Sequence, residues 1–184
     1  MEKFEEIKKK LKDSMTINGV VQKRYYHSLE VAKKALELNE SLNLGLDIGK
    51  VYLAGLLHDA AKLKSDDCLW NIILKEFPHL VDQVKDTKTI WHSLAGPTIV
   101  KKEYGIFDEE ILSAIKYHTT GKENMSTLDK VIFVADYIED TRDNSYTKEA
   151  KEASKISFDR AVKIILNQKV DLIKKSGRII CELT

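Results

Sequence analysis

The pair His58-Asp59 constrains the fold of this chain more than any other feature, because it places two ionisable side chains in an apolar segment. Apolar or small residues recur through the stretch 53–62 in the pattern of a helix that packs against a core, so we predict a helix there. A buried carboxylate needs a cation as its partner. An imidazole and a carboxylate at adjacent positions can reach one borderline divalent metal, such as Fe, Mn, Co or Zn. The alternative is a hydrogen-bonded His58 beside a solvated Asp59.

The length and composition favour one helical domain. The chain has 184 residues, of which 43% are hydrophobic and 32% charged, and its mean hydropathy is −0.31. This length suffices for one well-cored domain and is short for two, so we expect a single domain over residues 1–184. Only two prolines and eight glycines interrupt a repeated 3.6-residue periodicity. The pattern predicts an all-α fold of about seven to eight helices.

Charge and hydropathy narrow the class of partners. With 30 basic and 29 acidic residues the net charge is +1, so no global field attracts nucleic acid or an anionic membrane, although a local phosphate site is compatible with these totals. There is no run of about 18 apolar residues, and the first ten residues carry mixed charge where a signal peptide needs an apolar stretch. The two cysteines, Cys68 and Cys181, match no metal-ligand spacing. We therefore expect a cytoplasmic protein that binds neither nucleic acid nor membrane.

Further helices are predicted before and after the His58-Asp59 pair. Apolar residues three or four apart predict a helix over about residues 3–13, and Asn18-Gly19 predicts a turn. A second helix over 24–39 carries His27 on its apolar face. Asp47 and Ser65 are expected to cap the helices that follow them, and the helix after Ser65 should stop at Pro78, with His79 in a loop.

The second half of the chain shows equally local signals. We predict a helix from Trp91 that is interrupted or restarted at Pro97 and closed by Gly105. Asp108 should cap a helix that ends at His118. The remaining predictions are a capping box at Ser126 and Asp129 that opens a buried helix with Asp136 at its centre, one long helix around 153–166, and a tail over 170–184 that is helical or extended.

Three predicted helices thus each place ionisable groups on an apolar face, namely His27, the pair His58-Asp59, and Asp136. Each of these has a structural explanation when it is taken alone. Together they make two histidines and two carboxylates, and one divalent metal accounts for all of them. Four protein ligands on an ion that prefers five or six leave positions for water and substrate.

Five segments of the sequence follow one another in an order that resembles a known family. The segments are Arg24-x-x-His-Ser-x-x-Val-Ala32, Leu57-His-Asp-x-Ala-Lys62, His92-Ser-Leu-Ala-Gly96, Ala114-Ile-x-x-His-Thr-x-Gly121 and Ala135-Asp-Tyr-Ile-Glu-x-x-Arg142. From about residue 24 to 142 the chain resembles the HD-domain metal phosphohydrolases of the YqeK type, which are symmetrical bis(5′-nucleosyl)-tetraphosphatases. The resemblance implies a helical bundle with a metal in its core cleft, cleavage of diadenosine tetraphosphate into two ADP, a preference for Fe(II), and a homodimer.

The same resemblance assigns roles to individual residues. It implies a metal site formed by His27, His58, Asp59 and Asp136. It implies contacts with the nucleotide phosphates from Lys62, His92, His118, Thr119 and Arg142, and we count Asp59 and Asp136 among the substrate-binding residues as well. Asp140 stands where the family pattern often has proline, which alters the turn before Arg142.

The chemistry of these residues agrees with such roles. Lys62 follows His58 by four residues, so on a helix the two side chains would share one face, and a phosphate bound at the metal would lie next to Lys62. The alternative is a solvated lysine. Arg142 offers a planar fork suited to phosphate, against the alternative of a surface arginine. His92 and His118 suit phosphate contacts, general acid catalysis or a second metal ion, and we favour phosphate contacts.

The expected reaction is attack on phosphorus by a water that the metal activates. Asp59 is a candidate to accept the proton of that water, and His118 is a candidate to donate one to the leaving phosphate. Mn and Co also suit the nitrogen and oxygen ligands. Alternative functions are hydrolysis of a mononucleotide or a nucleoside triphosphate, or a metal-loaded nucleotide-binding regulator without turnover.

Overall fold

A computed structural model describes residues 2–141 and 145–175, with backbone only at 145 and 146. Its elements are α1 (Glu2–Ser14), β1 (Thr16–Ile17), β2 (Val20–Val21), α2 (Lys23–Ser41), α3 (Ile48–Leu57), α4 (Asp66–Glu76), α5 (Val81–Val84), α6 (Trp91–Tyr104), α7 (Glu109–Tyr117), α8 (Thr127–Ile138), α9 (Ser145–Ser154) and α10 (Phe158–Lys175). Single 3-10 turns at Pro78–Leu80 and Lys88–Ile90 flank α5. The predicted all-α class is confirmed, and no helix in this part of the chain is long and apolar enough to cross a membrane.

The first helices meet through a tight hairpin and a close helix contact. Asn18 and Gly19 have positive φ angles of 51° and 77°, which suit the two-residue turn between β1 and β2. The turn was predicted, whereas strands of two residues leave no alternating pattern to read. In the contact between α2 and α3, a Cβ atom on Gly55 would lie 2.7 Å from the Cα of Ala32. Glycine therefore lets α3 approach α2 close to the position of His27.

Two hydrophobic clusters meet at the segment that follows α3. The larger cluster is formed mainly by α2, α3, α7 and α8 and includes Ala60, while the smaller one is formed by α4 and α6 with their flanking turns and includes Ala61. The short turn after His58 is therefore buried on both sides. Packing from two directions fixes its backbone, and with it the direction of Asp59.

Local capping signals of the sequence appear in the structure as predicted. The side chains of Asp47 and Ser65 accept hydrogen bonds from the backbone N–H groups of Lys50 and Cys68. Asp108 caps α7 in the same way, and Ser126 and Asp129 form both bonds of the capping box that opens α8. These bonds set the start of each helix and hence the position of the functional groups farther along it.

Two helix predictions need correction. Proline does not interrupt α6, which continues through Pro97 until Gly105 takes a positive φ of 64°; the preceding residues 91–96 are buried, and this packing outweighs the one lost backbone bond. The predicted long helix around 153–166 is instead two helices. Ile156 is 77% exposed in the turn between them, and the Ser157 hydroxyl accepts from the Arg160 N–H to start α10. The tail is helical to Lys175, and 176–184 lies outside the described residues.

Candidate metal centre

The pair His58-Asp59 lies in a tight turn and not within a helix as predicted. Helix α3 ends at Leu57, and the following backbone bonds join residues three apart, from the Ala60 N–H to the Leu57 carbonyl (3.0 Å) and from the Lys62 N–H to the Asp59 carbonyl (2.9 Å). Buried packing on both sides overrides the helical periodicity here. His58 and Asp59 remain inside the protein, with exposures of 0% and 2%.

The structure brings the four predicted ligand residues together from α2, this turn and α8. His27 Nε2 lies 3.0 Å from Asp136 Oδ1, and His58 Nε2 lies 3.7 Å from the same oxygen. His58 Nε2 is 3.5 Å from Asp59 Oδ2. Asp136 stands in the last turn of α8 and not at the centre of the helix as predicted, because α8 ends at Ile138.

The protonation of His58 suits a cation in this cluster. Its Nδ1 lies 2.7 Å from the Gly55 carbonyl oxygen, which can only accept, so Nδ1 carries the proton. Its Nε2 then directs a lone pair into the cluster, where it is buried and has no hydrogen-bond partner in the described part of the chain. A buried acceptor next to two carboxylates fits a divalent metal ion.

His27 is oriented by a carboxylate that sequence reasoning did not assign to the site. Its Nδ1 lies 3.3 Å from Oε1 of Glu139, a side chain that is 1% exposed. The backbone N–H and the hydroxyl of Thr141 also donate hydrogen bonds to this carboxylate, each with a donor–acceptor distance of 2.6 Å. The arrangement leaves Nε2 of His27 free to face Asp136. An acid three residues after Asp136 on a buried helix was the available signal.

Arg24 is a second site residue that the sequence reasoning quoted without giving it a role. Its Nη1 donates a hydrogen bond to Asp59 Oδ2 at a distance of 2.8 Å. Arg24 lies about one helical turn before His27. A guanidinium next to a carboxylate of the cluster offsets its negative charge and holds the contacted oxygen in place. The arginine three residues before His27 was the signal.

The two outer histidines lie on the other oxygen of Asp59. His92 Nε2 is 3.2 Å from Asp59 Oδ1, His118 Nε2 is 3.6 Å from it, and the two Nε2 atoms are 3.2 Å apart. His118 Nδ1 lies 2.7 Å from the Ile115 carbonyl and therefore carries a proton. Ligand-type atoms of Asp59, His92 and His118 come close enough together to hold an ion of their own. The geometry thus accommodates either a phosphate or a second metal at this side.

Two residues predicted to contact phosphate, Lys62 and Thr119, lie next to the outer histidines. Lys62 Nζ lies 3.2 Å from Nδ1 of His92, and Thr119 Oγ1 lies 3.0 Å from Nε2 of His118. Both can donate hydrogen bonds to an anion at this side of the site. The predicted contact from Arg142 lies outside the described residues.

The cluster shifts the pKa values of its members in opposite directions. Burial raises the pKa of Asp59, but the imidazoles of His58, His118 and His92 more than offset this and hold it well below its usual range. Burial lowers the pKa of His58, yet the carboxylates of Asp59 and Asp136 prevail and raise it. A proton on His58 therefore competes with a metal for Nε2.

The outer histidines are shifted toward the neutral form. Burial lowers the pKa of His92 to about 4, and burial together with the charge of His58 lowers the pKa of His118. Near pH 7 both rings are then neutral and present one nitrogen lone pair each. A nitrogen that carries a lone pair in a neutral ring can bind a metal or accept a hydrogen bond. It has no proton of its own to give to a leaving group.

Comparison with known proteins agrees with this site. The model of the HD domain matches residues 24–141, and the chain therefore belongs to the HD-domain family. It is 37% identical over 160 residues, covering 85% of this chain and 83% of the relative, to "Bis(5'-nucleosyl)-tetraphosphatase, symmetrical" of Bacillus subtilis (strain 168). A relative of the same name from Staphylococcus aureus (strain NCTC 8325 / PS 47) is 37% identical over 157 residues, with 80% of this chain and 79% of the relative covered.

A solved structure shows the same fold. The crystal structure of a "predicted HD superfamily hydrolase involved in NAD metabolism" from Clostridium acetobutylicum superposes with a TM-score of 0.88 at 32% identity, covering 98% of this chain and 92% of the other. The resemblance that the five sequence segments suggested is thereby confirmed.

Proposed function

We propose that this protein is a metal-dependent phosphohydrolase that cleaves diadenosine tetraphosphate symmetrically into two ADP. The observation that carries the proposal is the buried His/Asp cluster around Asp59, in which Nε2 of His58 has no hydrogen-bond partner among the described residues, in a chain 37% identical to a symmetrical bis(5′-nucleosyl)-tetraphosphatase. The cluster is compatible with a divalent metal. Its mixed nitrogen and oxygen ligands suit Fe(II), which we propose as the native ion, with Mn or Co as substitutes.

In this proposal His27, His58, Asp59 and Asp136 hold the metal, which when bound supplies Lewis acidity and an activated water for attack on phosphorus. Arg24 fixes the carboxylate of Asp59, and Glu139 fixes the imidazole of His27. Both keep their side chain in one orientation as substrate binds, so little reorganisation is needed during the reaction.

Lys62, His92 and Thr119 hold the phosphates on the Oδ1 side of Asp59. The ammonium group of Lys62 and the hydroxyl of Thr119 can each donate to phosphoryl oxygens, and the positive charge of Lys62 offsets the negative charge that develops there. Arg142 is proposed to add a bidentate contact.

The positions of protons in the cluster support the acid and base roles that we propose. Asp59 is a carboxylate near pH 7 and accepts the proton of the attacking water. His118 keeps its one proton on Nδ1, bound to the Ile115 carbonyl, so Nε2 is an acceptor. We therefore propose that Nε2 of His118 would serve as a metal-binding atom in the neutral ring, and that His118 donates to the substrate phosphate or acts as general acid once substrate binding protonates Nε2.

Product identity in oxygen-18 water tests the proposed reaction. Two ADP from diadenosine tetraphosphate, with the label in one of them, are expected after attack on the second phosphorus from one nucleoside. AMP plus ATP, or free orthophosphate, would contradict symmetrical cleavage and point to a nucleotidase or a triphosphatase. Tight nucleotide binding by the metal-loaded protein without any product would identify a regulator.

A lysine substitution connects that reaction to the site. Lys62→Ala should reduce kcat/KM for diadenosine tetraphosphate well beyond its effect on a simple phosphomonoester, because only the long polyphosphate needs positioning. Lys85→Ala, on the exposed side of the protein, is the matched control. Equal losses on both substrates would argue against a positioning role of Lys62.

We also propose the homodimer that the family resemblance implies and the single domain expected from chain length. Light scattering coupled to size-exclusion chromatography measures the first. Limited proteolysis measures the second, since one domain should resist cleavage within the described ranges 24–141 and 147–175.

A further inference from the structure

The carboxylate of Asp59 divides the site into two sides. Its Oδ1 faces His92 (3.2 Å) and His118 (3.6 Å), whereas its Oδ2 accepts from Arg24 (2.8 Å). The first side carries the phosphate contacts proposed above. The proposed phosphate contacts of Lys62, His92 and Thr119 do not extend to the second side, where Arg24 lies.

A cavity opens on this second side. It has a volume of about 410 Å³ and is lined by Lys23, Arg24, Tyr26, His27, Glu139 and Thr141; we call it the Tyr26 cavity. The volume lies within the range of small-molecule sites. Because His27 belongs to its wall, a ligand in the Tyr26 cavity would reach the metal centre directly.

The wall of the Tyr26 cavity favours an anion near the metal. Lys23 is exposed and makes no ion pair within the described ranges, and the guanidinium of Arg24 adds a second positive charge. The acid in the wall, Glu139, already accepts hydrogen bonds from both His27 and Thr141. Lys and Arg side chains are common binding groups for phosphate oxygens.

Tyr26 gives the same cavity an aromatic surface. Its side chain is 54% exposed although it follows Tyr25, which is only 5% exposed. The two rings contact edge to face with their centroids 5.5 Å apart, so the buried Tyr25 supports the exposed ring. An exposed aromatic ring held in this way is a stacking surface for a nucleobase.

We propose that the Tyr26 cavity binds one nucleoside diphosphate half of a dinucleotide substrate, with the base on Tyr26 and the phosphates near Lys23 and Arg24. This rests on the proposed function, because central cleavage of a symmetrical dinucleotide requires its halves to extend to both sides of the attacked phosphorus. The other half then lies along Lys62, His92 and Thr119. The two oxygens of Asp59 mark the division between the halves.

Steady-state kinetics of four variants tests the Tyr26 cavity. Tyr26→Ala should raise KM for diadenosine tetraphosphate about tenfold with kcat changed less than about twofold, because it removes one base-stacking contact. Tyr26→Phe retains the ring and should stay close to the parent. Lys23→Ala should also raise KM. Phe107→Ala removes another exposed ring, 69% exposed and outside the cavity, and is the matched control.

Equilibrium dialysis of ADP against the metal-loaded variants separates this proposal from the proposed function. ADP binding should weaken in Tyr26→Ala and persist in Tyr26→Phe, whatever the products of turnover are. If the parent makes no ADP from the dinucleotide but this binding pattern appears, the cavity stands and the reaction assignment falls. If the parent makes two ADP while Tyr26→Ala and Lys23→Ala behave like Phe107→Ala, the cavity proposal is overturned.

Discussion

The Nδ1 atom of His27 lies 3.3 Å from Oε1 of Glu139, and this contact connects the candidate metal centre to the end of α8. The donor and acceptor lie 112 residues apart in the chain. Because Glu139 can accept the Nδ1 proton of His27, the ring presents Nε2 to Asp136 Oδ1, 3.0 Å away, and Nε2 is the atom that would bind a metal placed between them. Such outer carboxylates raise the basicity of a metal-binding imidazole and fix its orientation.

Glu139→Gln should therefore weaken metal binding without removing a ligand. The amide is nearly isosteric but uncharged, and we expect the metal affinity to fall by about 10-fold to 100-fold. Competition with a chelator measures the change. Glu40→Gln on the exposed end of α2 is the control. An affinity equal to the parent in Glu139→Gln would show that the contact with His27 does not tune the metal site.

Removal of a proposed ligand should abolish the stabilisation that metal gives to the fold. His58→Ala and Asp136→Ala each take one donor from the cluster, so added metal should no longer raise Tm, and activity should be lost. Differential scanning calorimetry with and without metal measures this. His79→Ala changes an exposed histidine in the turn after α4 and should respond to metal like the parent. Stoichiometric metal in either ligand variant would refute the proposed ligand set.

His92→Ala separates the two roles that its position allows. If His92 contacts phosphate, the variant should keep the metal content of the parent and lose kcat/KM through weaker transition-state stabilisation. Metal analysis of both proteins decides. Two ions in the parent and one in the variant would instead make His92 a ligand of a second ion, together with Asp59 and His118.

The features that sequence predicted well depend on neighbours in the chain. Asp108, Ser126 and Asp129 cap helices through bonds to backbone groups within three residues, so the signal and its effect lie together. The proposed ligand residues His27 and Asp136 were likewise recognisable because each is an ionisable group in an apolar helical pattern. Their convergence on one cluster was inferred from the family resemblance and from the cost of burying them.

The features that sequence did not predict depend on contacts distant in the chain. Helical periodicity continues past Leu57, yet two hydrophobic clusters pack on the following segment and turn it, which no local pattern reveals. Arg24 and Glu139 act on Asp59 and His27 through tertiary contacts. Their spacing from His27 and Asp136 was a signal that they belong to the site, but it did not identify the side chains that they contact. Pro97 was predicted to interrupt α6 because its cost is local, whereas the compensating burial is not.

The helix cap at Asp108 gives the fold a defined acid dependence. The ammonium group of Lys50, 2.9 Å away, lowers the pKa of Asp108, and the N–H groups of Ile111 and Glu110 act in the same direction. Since the pKa is lower in the folded state, the stabilisation is present above the ordinary carboxyl pKa of about 4 and is lost as the pH falls through the folded value.

Urea unfolding at several pH values checks this dependence. Asp108→Ala should lower the free energy of unfolding at pH 7 by about 1 kcal/mol through loss of the cap. Asp108→Asn keeps a capping side chain and should cost less at pH 7, while its free energy of unfolding should fall less than that of the parent below about pH 4. Parallel pH profiles of the parent and Asp108→Asn would contradict the assignment.

Lys169 connects α10, which lies beyond the residues matched by the HD-domain model, to the side of the site where Oδ1 of Asp59 faces His92 and His118. Its ammonium group donates a hydrogen bond to the Thr119 carbonyl oxygen at a distance of 2.7 Å, and it lies 4.5 Å from the ring centroid of Phe133. Thr119 in turn places its hydroxyl 3.0 Å from Nε2 of His118. The ammonium group of Lys169 therefore positions the segment that carries both His118 and Thr119.

Lys169→Met keeps the length of the side chain and removes the donor to Thr119. We expect kcat/KM for the dinucleotide to fall about tenfold, the scale of one lost charge-assisted hydrogen bond, with metal content unchanged because no ligand is touched. Lys169→Arg should restore most of the activity, and Lys163→Met on the exposed face of α10 should match the parent. Metal analysis and steady-state kinetics together decide, since unchanged kcat/KM in Lys169→Met, or loss of metal with activity, would each show that Lys169 does not position Thr119.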